Sequence, residues 1–244
     1  MSVFDLKDKT VLVTGASSGL GRQTAITASG YGARVIITGR HAARLAETFQ
    51  SLHGEGHMQI PADLTIQADI DRLVAAVPVL DGLVHSTGIS ELAPAQFITE
   101  AVIAKTFRIS FDASVLLTAG ILKKKKLTKG NSSIVFISSI STRYPFVGGA
   151  MYVSAKAALE AYARVLALEL ASRGTRVNCI APAFVRTPML DETAENFSQE
   201  AVDKIEQRQL LGLGDPVDVA NTIVFYLSDA SKWITATNLI LGGG

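Results

Sequence analysis

Short apolar runs rich in Val, Ile and Leu alternate along the whole chain with longer segments whose apolar residues recur every three or four positions. A continuous apolar run is a strand buried on both faces, and strands separated by helix-length segments pair in parallel through crossovers. Seven such runs stand at Thr10 to Thr14, Arg34 to Thr38, Met58 to Ala62, Gly82 to Ser86, Ser133 to Ser138, Arg176 to Ala181 and Asn238 to Leu241. Helices are expected in the intervals, starting near Gly21, Thr65, Thr99, Tyr152 and Pro216, the last preceded by Asp215 as a start signal. The expected fold is α/β, a single domain over residues 1–244 built on a doubly wound parallel sheet of about seven strands with helices on both faces. Ligands of such sheets sit beyond the carboxyl ends of the strands, so the loops that follow strands are expected to carry the chemistry.

Directly after the first strand comes Thr14-Gly15-Ala16-Ser17-Ser18-Gly19-Leu20-Gly21, at the start of a helix. Glycines let the main chain turn sharply and approach phosphates, and the helix N-terminus offers free N–H groups to negative charge. Gly15, Ser17, Ser18, Gly19, Leu20 and Gly21 are therefore expected to cradle a dinucleotide pyrophosphate. The second strand ends in Thr38-Gly39-Arg40-His41, with no carboxylate to grip a ribose 2'-hydroxyl. Arg40 suits a 2'-phosphate instead, so NADP(H) is favoured and NAD(H) is the alternative. Asp63 and Leu64, after the third strand, are placed to contact adenine, although Asp63 could equally cap the helix starting near Thr65.

Tyr152 and Lys156 stand four residues apart, on one face if the segment is helical, and Ser139 lies thirteen residues before Tyr152 at the end of an apolar run. A phenol with a reference pKa of about 10 needs about 4 kcal/mol of bias to ionise near neutrality. An ammonium roughly 5 Å away, at an effective dielectric of about 20, supplies about 3 kcal/mol. Taken alone, such a pair is commonly an ordinary one on a solvated helix. Its setting behind a dinucleotide turn makes it a candidate for moving a proton to or from a hydroxyl.

Composition excludes several classes. The chain is 48% apolar and 18% charged, which supports a sizeable core, and its formal net charge of +1 provides no global field for nucleic acid or an anionic membrane. Cys179 is the only cysteine, so no internal disulfide and no cysteine-cluster metal site is expected. The first residues carry no hydrophobic signal region and no apolar run approaches a bilayer span, so a cytoplasmic location is expected. The run Lys123 to Lys126 is expected to be solvated at a helix C-terminus.

Together, the turn from Thr14 to Gly21, Ser139, the Tyr152/Lys156 pair and the segment Val177-Asn178-Cys179-Ile180-Ala181-Pro182 resemble the short-chain dehydrogenase/reductase family, and the match runs over essentially the whole chain. The resemblance implies a Rossmann-type sheet and hydride transfer between a nicotinamide and a carbonyl carbon. Tyr152 would be the general acid/base, Ser139 would hydrogen-bond the reacting oxygen, and Lys156 would bias the phenol and hold the nicotinamide ribose. Ser86, Thr87, Gly88, Pro182, Val185 and Thr187 match further cofactor-contacting positions, with Thr187 at the carboxamide.

Four positions depart from the family pattern. His85-Ser86-Thr87-Gly88 replaces a common Asn-Asn-Ala-Gly, with His85 expected to be structural. Ser110 replaces an asparagine that helps hold a water in the proton path to the lysine, which makes it a catalytic candidate. Ala183 replaces the glycine that commonly follows Pro182, and Leu241-Gly242-Gly243-Gly244 has glycine where an aspartate is frequent.

The leading expectation is an NADPH-dependent carbonyl reductase, or the reverse alcohol dehydrogenase, acting on a small-molecule ketone or alcohol. Similarity to 3-oxoacyl carrier-protein reductases admits a 3-oxoacyl thioester and an acyl carrier protein as partner, beside sugar-derived and other small ketones. The alternative is an NADP(H)-binding protein with minimal turnover, serving as sensor or assembly partner. The substrate walls are expected at Ser90 to Pro94, Ser141 to Val147 and a covering segment, residues 184–211, with Arg143 as a possible anchor for an acid. The family also suggests a homodimer or homotetramer.

Overall fold

In β1 (Thr10–Val13) Val11 and Val13 enter one hydrophobic core and Leu12 enters another, because successive side chains of a strand point to opposite faces. The same division runs through β2 (Arg34–Ile37), β4 (Gly82–His85), β5 (Ser132–Ile137) and β6 (Thr175–Pro182), whose residues are almost all buried. With β3 (Met58–Gln59) and β7 (Asn238–Leu241) they form one parallel seven-stranded sheet in the order β3-β2-β1-β4-β5-β6-β7. These elements come from a computed structural model that describes residues 2–194, 207 and 209–242.

One face is covered by α3 (Gln67–Ala76), α5 (Ala113–Lys123) and α6 (Ala150–Leu170), through side chains such as Ile70, Leu117, Ile121 and Leu159. The other is covered by α1 (Gly19–Gly30), α2 (Ala42–Gln50) and α8 (Pro216–Leu227), through Ala25, Ala28, Leu45, Val219 and Ile223. Helices α4 (Glu100–Phe107) and α7 (Pro188–Ala194) complete the set among the described residues. No described helix is long and apolar enough to cross a membrane.

From β1 the chain moves outward to β3 and then returns to place β4 on the other side of β1. The carboxyl ends of β1 and β4 therefore diverge into opposite crossovers and leave a crevice between them. Ser86 N donates to Thr14 Oγ1 at 3.1 Å across the two strand ends and fixes the floor of that crevice.

Several boundaries move for local reasons. The regular part of β3 stops at Gln59 rather than Ala62, yet pairing with the chain after β2 continues: Ile60 N donates to Ile37 O at 3.0 Å and Ala62 N to Gly39 O at 3.2 Å, while Pro61 between them faces the open edge, where its missing N–H costs no bond. The helix expected near Thr65 starts at Gln67, because Asp63 Oδ1 first accepts from Thr65 N and Thr65 Oγ1. The helical segment from Thr99 is interrupted by a π-turn over Arg108–Asp112 before α5 continues. In the lysine run, Lys123, Lys124 and Lys125 are exposed as expected, but Lys126 is half-buried and donates to Val77 O at 2.7 Å.

Candidate active site

Beyond the carboxyl ends of the strands lies a cleft of about 790 Å³. It is lined by Gly15, Ser17, Ser18, Gly19 and Leu20 from the first turn, Arg40, Asp63 and Leu64 from the next two strand ends, and Ser86, Thr87 and Gly88 after β4. Ser139, Tyr152, Lys156, Pro182, Val185 and Thr187 line its other side. Gly21 and Ser110 are not in the lining.

The glycine turn fits a dinucleotide. Gly15 has φ +64°, and a Cβ there would stand 2.8 Å from Ser86 O, so only glycine lets the two strand-end loops approach. Gly19 has φ +51° and opens towards Thr187, whose methyl would lie 3.7 Å from a Cβ at Gly19. Gly21 acts differently from expectation: a Cβ on it would meet Gly15 O at 2.4 Å and Thr14 O at 2.9 Å. It packs α1 against the turn instead of facing a ligand. At the far end of the cleft Arg40 is exposed, and Arg44 from α2 stands beside it as a second exposed cation in the lining. Two guanidiniums with no carboxylate after β2 suit a phosphorylated ribose. Asp63 lines the cleft; it does not cap the helix, whose N-cap is Ile66, but closes the turn before it through its bonds from Thr65.

At the opposite end stands Ser139, the N-terminal residue of a short 3₁₀ turn. Its Oγ accepts from Ser141 N at 3.2 Å and from Ser141 Oγ at 2.9 Å. With its lone pairs engaged by Ser141, the Ser139 hydroxyl is left as a donor on the side of Tyr152. Burial pushes the Tyr152 pKa up, and the nearby Ser139 hydroxyl only partly offsets this. The phenol is thus held protonated at neutral pH. That differs from the expected lowering by Lys156, and the geometry gives the reason. Lys156 Nζ donates to Ile137 O at 2.8 Å and lies 5.9 Å from the centre of the Tyr152 ring. Two further hydroxyls brace the serine: Ser138 Oγ donates to Glu160 Oε1 at 2.5 Å, and Thr142 Oγ1 lies 2.9 Å from the same oxygen. Glu160 sits one helical turn beyond Lys156 on α6; that i,i+4 spacing was the one sequence signal for it.

Lys156 is buried, and desolvation lowers its pKa from 10.5 to about 8. The folded protein bears this penalty in full below about pH 8, where both states hold the proton. Between pH 8 and 10.5 the unfolded chain binds more protons than the folded one, so stability rises with pH through that window. Lys156→Met is expected to raise stability at pH 7 by about 2 kcal/mol, the loss of the Ile137 bond being smaller than the relief of desolvation. The gain should shrink as pH rises to 10 in urea melts. A gain independent of pH would place the lysine's cost elsewhere.

Ser110 is carried on the π-turn, and its Oγ accepts from Ile89 N at 3.3 Å. A Cβ on Gly88 would come within 3.2 Å of Lys156 Nζ and 3.8 Å of Ser110 Oγ, so both groups face the same side of Gly88. His85, in contrast, is packed away from the cleft, stacked on Phe136 at 4.7 Å. Thr118 Oγ1 donates to Ser114 O, so its oxygen accepts the His85 Nε2 proton at 2.9 Å. Burial lowers the His85 pKa to about 3, which keeps the ring neutral and structural.

Among the expected substrate walls, Ser90, Ser141, Phe146 and Phe184 line the cleft. Arg143 does not; it is exposed and stacks on Tyr144 at 5.8 Å. The expected covering segment, 184–211, is described at 184–194, 207 and 209–211, and the remainder lies outside the described residues. Gln209 lines the cleft as well, a residue that no sequence signal marked. The departures at Ala183 and in the terminal glycine run meet in space. Ala183 N donates to Leu241 O at 2.8 Å, and a Cβ on Gly242 would stand 2.9 Å from Ala183 Cβ.

A family model described as "Enoyl-(Acyl carrier protein) reductase" matches residues 15–244. A solved short-chain type dehydrogenase/reductase from Mycobacterium ulcerans is 29% identical, with a TM-score of 0.90 over 98% of this chain and 90% of that one. The chain belongs to the short-chain dehydrogenase/reductase family. A 3-oxoacyl-[acyl-carrier-protein] reductase of Rickettsia felis is 32% identical over 242 residues, covering 99% of this chain and 98% of its own. A candidate NAD(P)-dependent gluconate 5-dehydrogenase from Beutenbergia cavernae, solved with NADP at low occupancy, has a TM-score of 0.89 at 28% identity, covering all of this chain and 98% of that one. As a short-chain dehydrogenase/reductase, the protein is an NAD(P)-dependent oxidoreductase of the ketone/alcohol class.

Proposed function

We propose that residues 1–244 form one oxidoreductase domain that reduces a ketone to a secondary alcohol with NADPH, residues 184–211 covering the substrate. The observation that carries this is the pairing of a protonated Tyr152 with a Ser139 hydroxyl free to donate, at one end of a cleft whose other end holds Arg40 and Arg44. A dinucleotide bound in the cleft supplies the hydride. Tyr152 gives its proton to the carbonyl oxygen, Ser139 donates a hydrogen bond to that oxygen as it gains charge, and the Lys156 ammonium stabilises the phenolate that results. Ser110, facing the same side of Gly88 as Lys156, takes the place of the family asparagine in returning the proton.

The pyrophosphate falls to Gly15, Ser17, Ser18, Gly19 and Leu20, with Gly21 acting by packing. The adenine end falls to Arg40, Asp63 and Leu64, and the nicotinamide end to Ser86, Thr87, Gly88, Pro182, Val185 and Thr187. NADP in the Beutenbergia structure supports the cofactor preference. The Rickettsia reductase keeps a 3-oxoacyl thioester, and with it an acyl carrier protein, among the substrates to test beside sugar-derived and other small ketones. A cytoplasmic homodimer or homotetramer completes the reading.

Arg40→Asp tests the cofactor assignment. It should weaken NADPH binding by about 10- to 100-fold, the scale of one or two charge-assisted hydrogen bonds, and weaken NADH little. Equal losses for both cofactors, measured by fluorescence titration, would remove the 2'-phosphate role.

A further inference from the structure

The Gln209 side chain is 91% buried and lines the cleft, yet its Oε1 has no hydrogen-bond partner. The position of a Cβ on Gly242 lies 4.0 Å from that oxygen and 3.8 Å from Ile140 Cδ1, with Ala183 Cβ closer still. The amide oxygen thus shares the space beside Gly242 with the Ile140 and Ala183 side chains, neither of which carries a donor. Ile140 follows Ser139 directly, which ties the amide to the end of the cleft where the reacting carbonyl is placed. A buried acceptor without a donor is destabilising, and most such groups in folded proteins are satisfied by protein, water or ligand.

We propose that Gln209 is a specificity-determining residue whose Oε1 accepts a hydrogen bond from a substrate hydroxyl other than the oxygen being reduced. The cleft is thereby committed to hydroxylated ketones, or polyols in the reverse direction. The inference rests on the oxidoreductase reading above and selects among its substrate classes. A 3-oxoacyl thioester carries no O–H or N–H beside its keto carbon, so it would leave the Gln209 oxygen unsatisfied. A site built to bond a hydroxyl discriminates against the analogue that lacks it because its own polar group is then left unpaired.

The test uses the full chain with NADPH and a series of polyhydroxy ketones, dihydroxyacetone and fructose among them, each paired with a deoxy counterpart of the same chain length. Wild-type kcat/KM is expected to be at least about tenfold higher for the hydroxylated member of a pair, the scale of one buried hydrogen bond. Gln209→Met, equal in length but without the amide, should bring that ratio close to one. Gln209→Glu, which keeps an acceptor, should retain a preference above that of the Met variant. NADPH affinity reports whether each variant is folded, and if the Met variant fails there the Glu variant and the wild-type ratio decide. A wild-type ratio near one, or an unchanged ratio in Gln209→Met, overturns the proposal while leaving the reductase reading intact. Turnover of no ketone in either class overturns the reductase reading itself, and this inference with it.

Discussion

Tyr152→Phe should lower kcat by about 10²- to 10⁴-fold while NADPH binds with nearly unchanged affinity. The substitution removes one oxygen and keeps the ring, so the packing of α6 is untouched. What disappears is the proton that the buried phenol holds at neutral pH and the oxygen that meets the Ser139 hydroxyl. Ser139 cannot substitute as an acid, because a serine hydroxyl is a far weaker one than a phenol. The residual rate would come from binding and from the Ser139 hydrogen bond to the reacting oxygen. Steady-state kinetics with a ketone that the wild type reduces, alongside a cofactor titration, give the two numbers required. Near-wild-type kcat in the variant would remove Tyr152 from proton transfer.

A second large effect is expected at Gly21, which stands behind the cleft lining rather than in it. Gly21→Ala places a methyl where a Cβ would meet Gly15 O at 2.4 Å and Thr14 O at 2.9 Å, and both obstacles are backbone. No side chain can swing aside, so α1 has to lift from the turn. Overpacking of this kind costs about 1–3 kcal/mol of stability. It also displaces Gly15 and the free N–H groups at the start of α1, and a misplacement of about 1 Å at a binding group can cost about 10²-fold. NADPH affinity should therefore fall by about that factor in a variant that still folds. Gly19→Ala is the comparison, because its Cβ would meet only the Thr187 methyl at 3.7 Å, leaving the strain of a left-handed φ, about 1–2 kcal/mol. If Gly19→Ala proved the more damaging to cofactor binding, the packing role of Gly21 would be wrong.

The features legible in the sequence are those set by local pattern. Val11, Leu12 and Val13 had to be a doubly buried strand, and a glycine-rich turn after such a strand had to face the crevice that a parallel sheet leaves open. Tyr152 and Lys156 were placed on one helix by spacing alone. What stayed hidden depends on partners distant in the chain. Nothing near Lys156 announces that its ammonium is bonded to Ile137 O, which is why the expected lowering of the Tyr152 pKa gives way to an increase through burial. The π-turn that carries Ser110 has no composition of its own, and Glu160 reads as an exposed helix acid until Ser138 and Thr142 are folded against it. Gln209 lies in a stretch with no periodic signal, so only the cleft reveals it.

Ala183 and Gly242 constrain which side chains the two positions can hold together. The next residues in the β6–β7 register, they share room for a single Cβ, since one built on Gly242 would lie 2.9 Å from that of Ala183. An aspartate at position 242 is accommodated without local displacement only where Ala183 is replaced by glycine. Side chains at both positions require the ends of β6 and β7 to move apart, whereas glycine at either one does not. Two departures that look independent when letters are compared are coupled through a single contact.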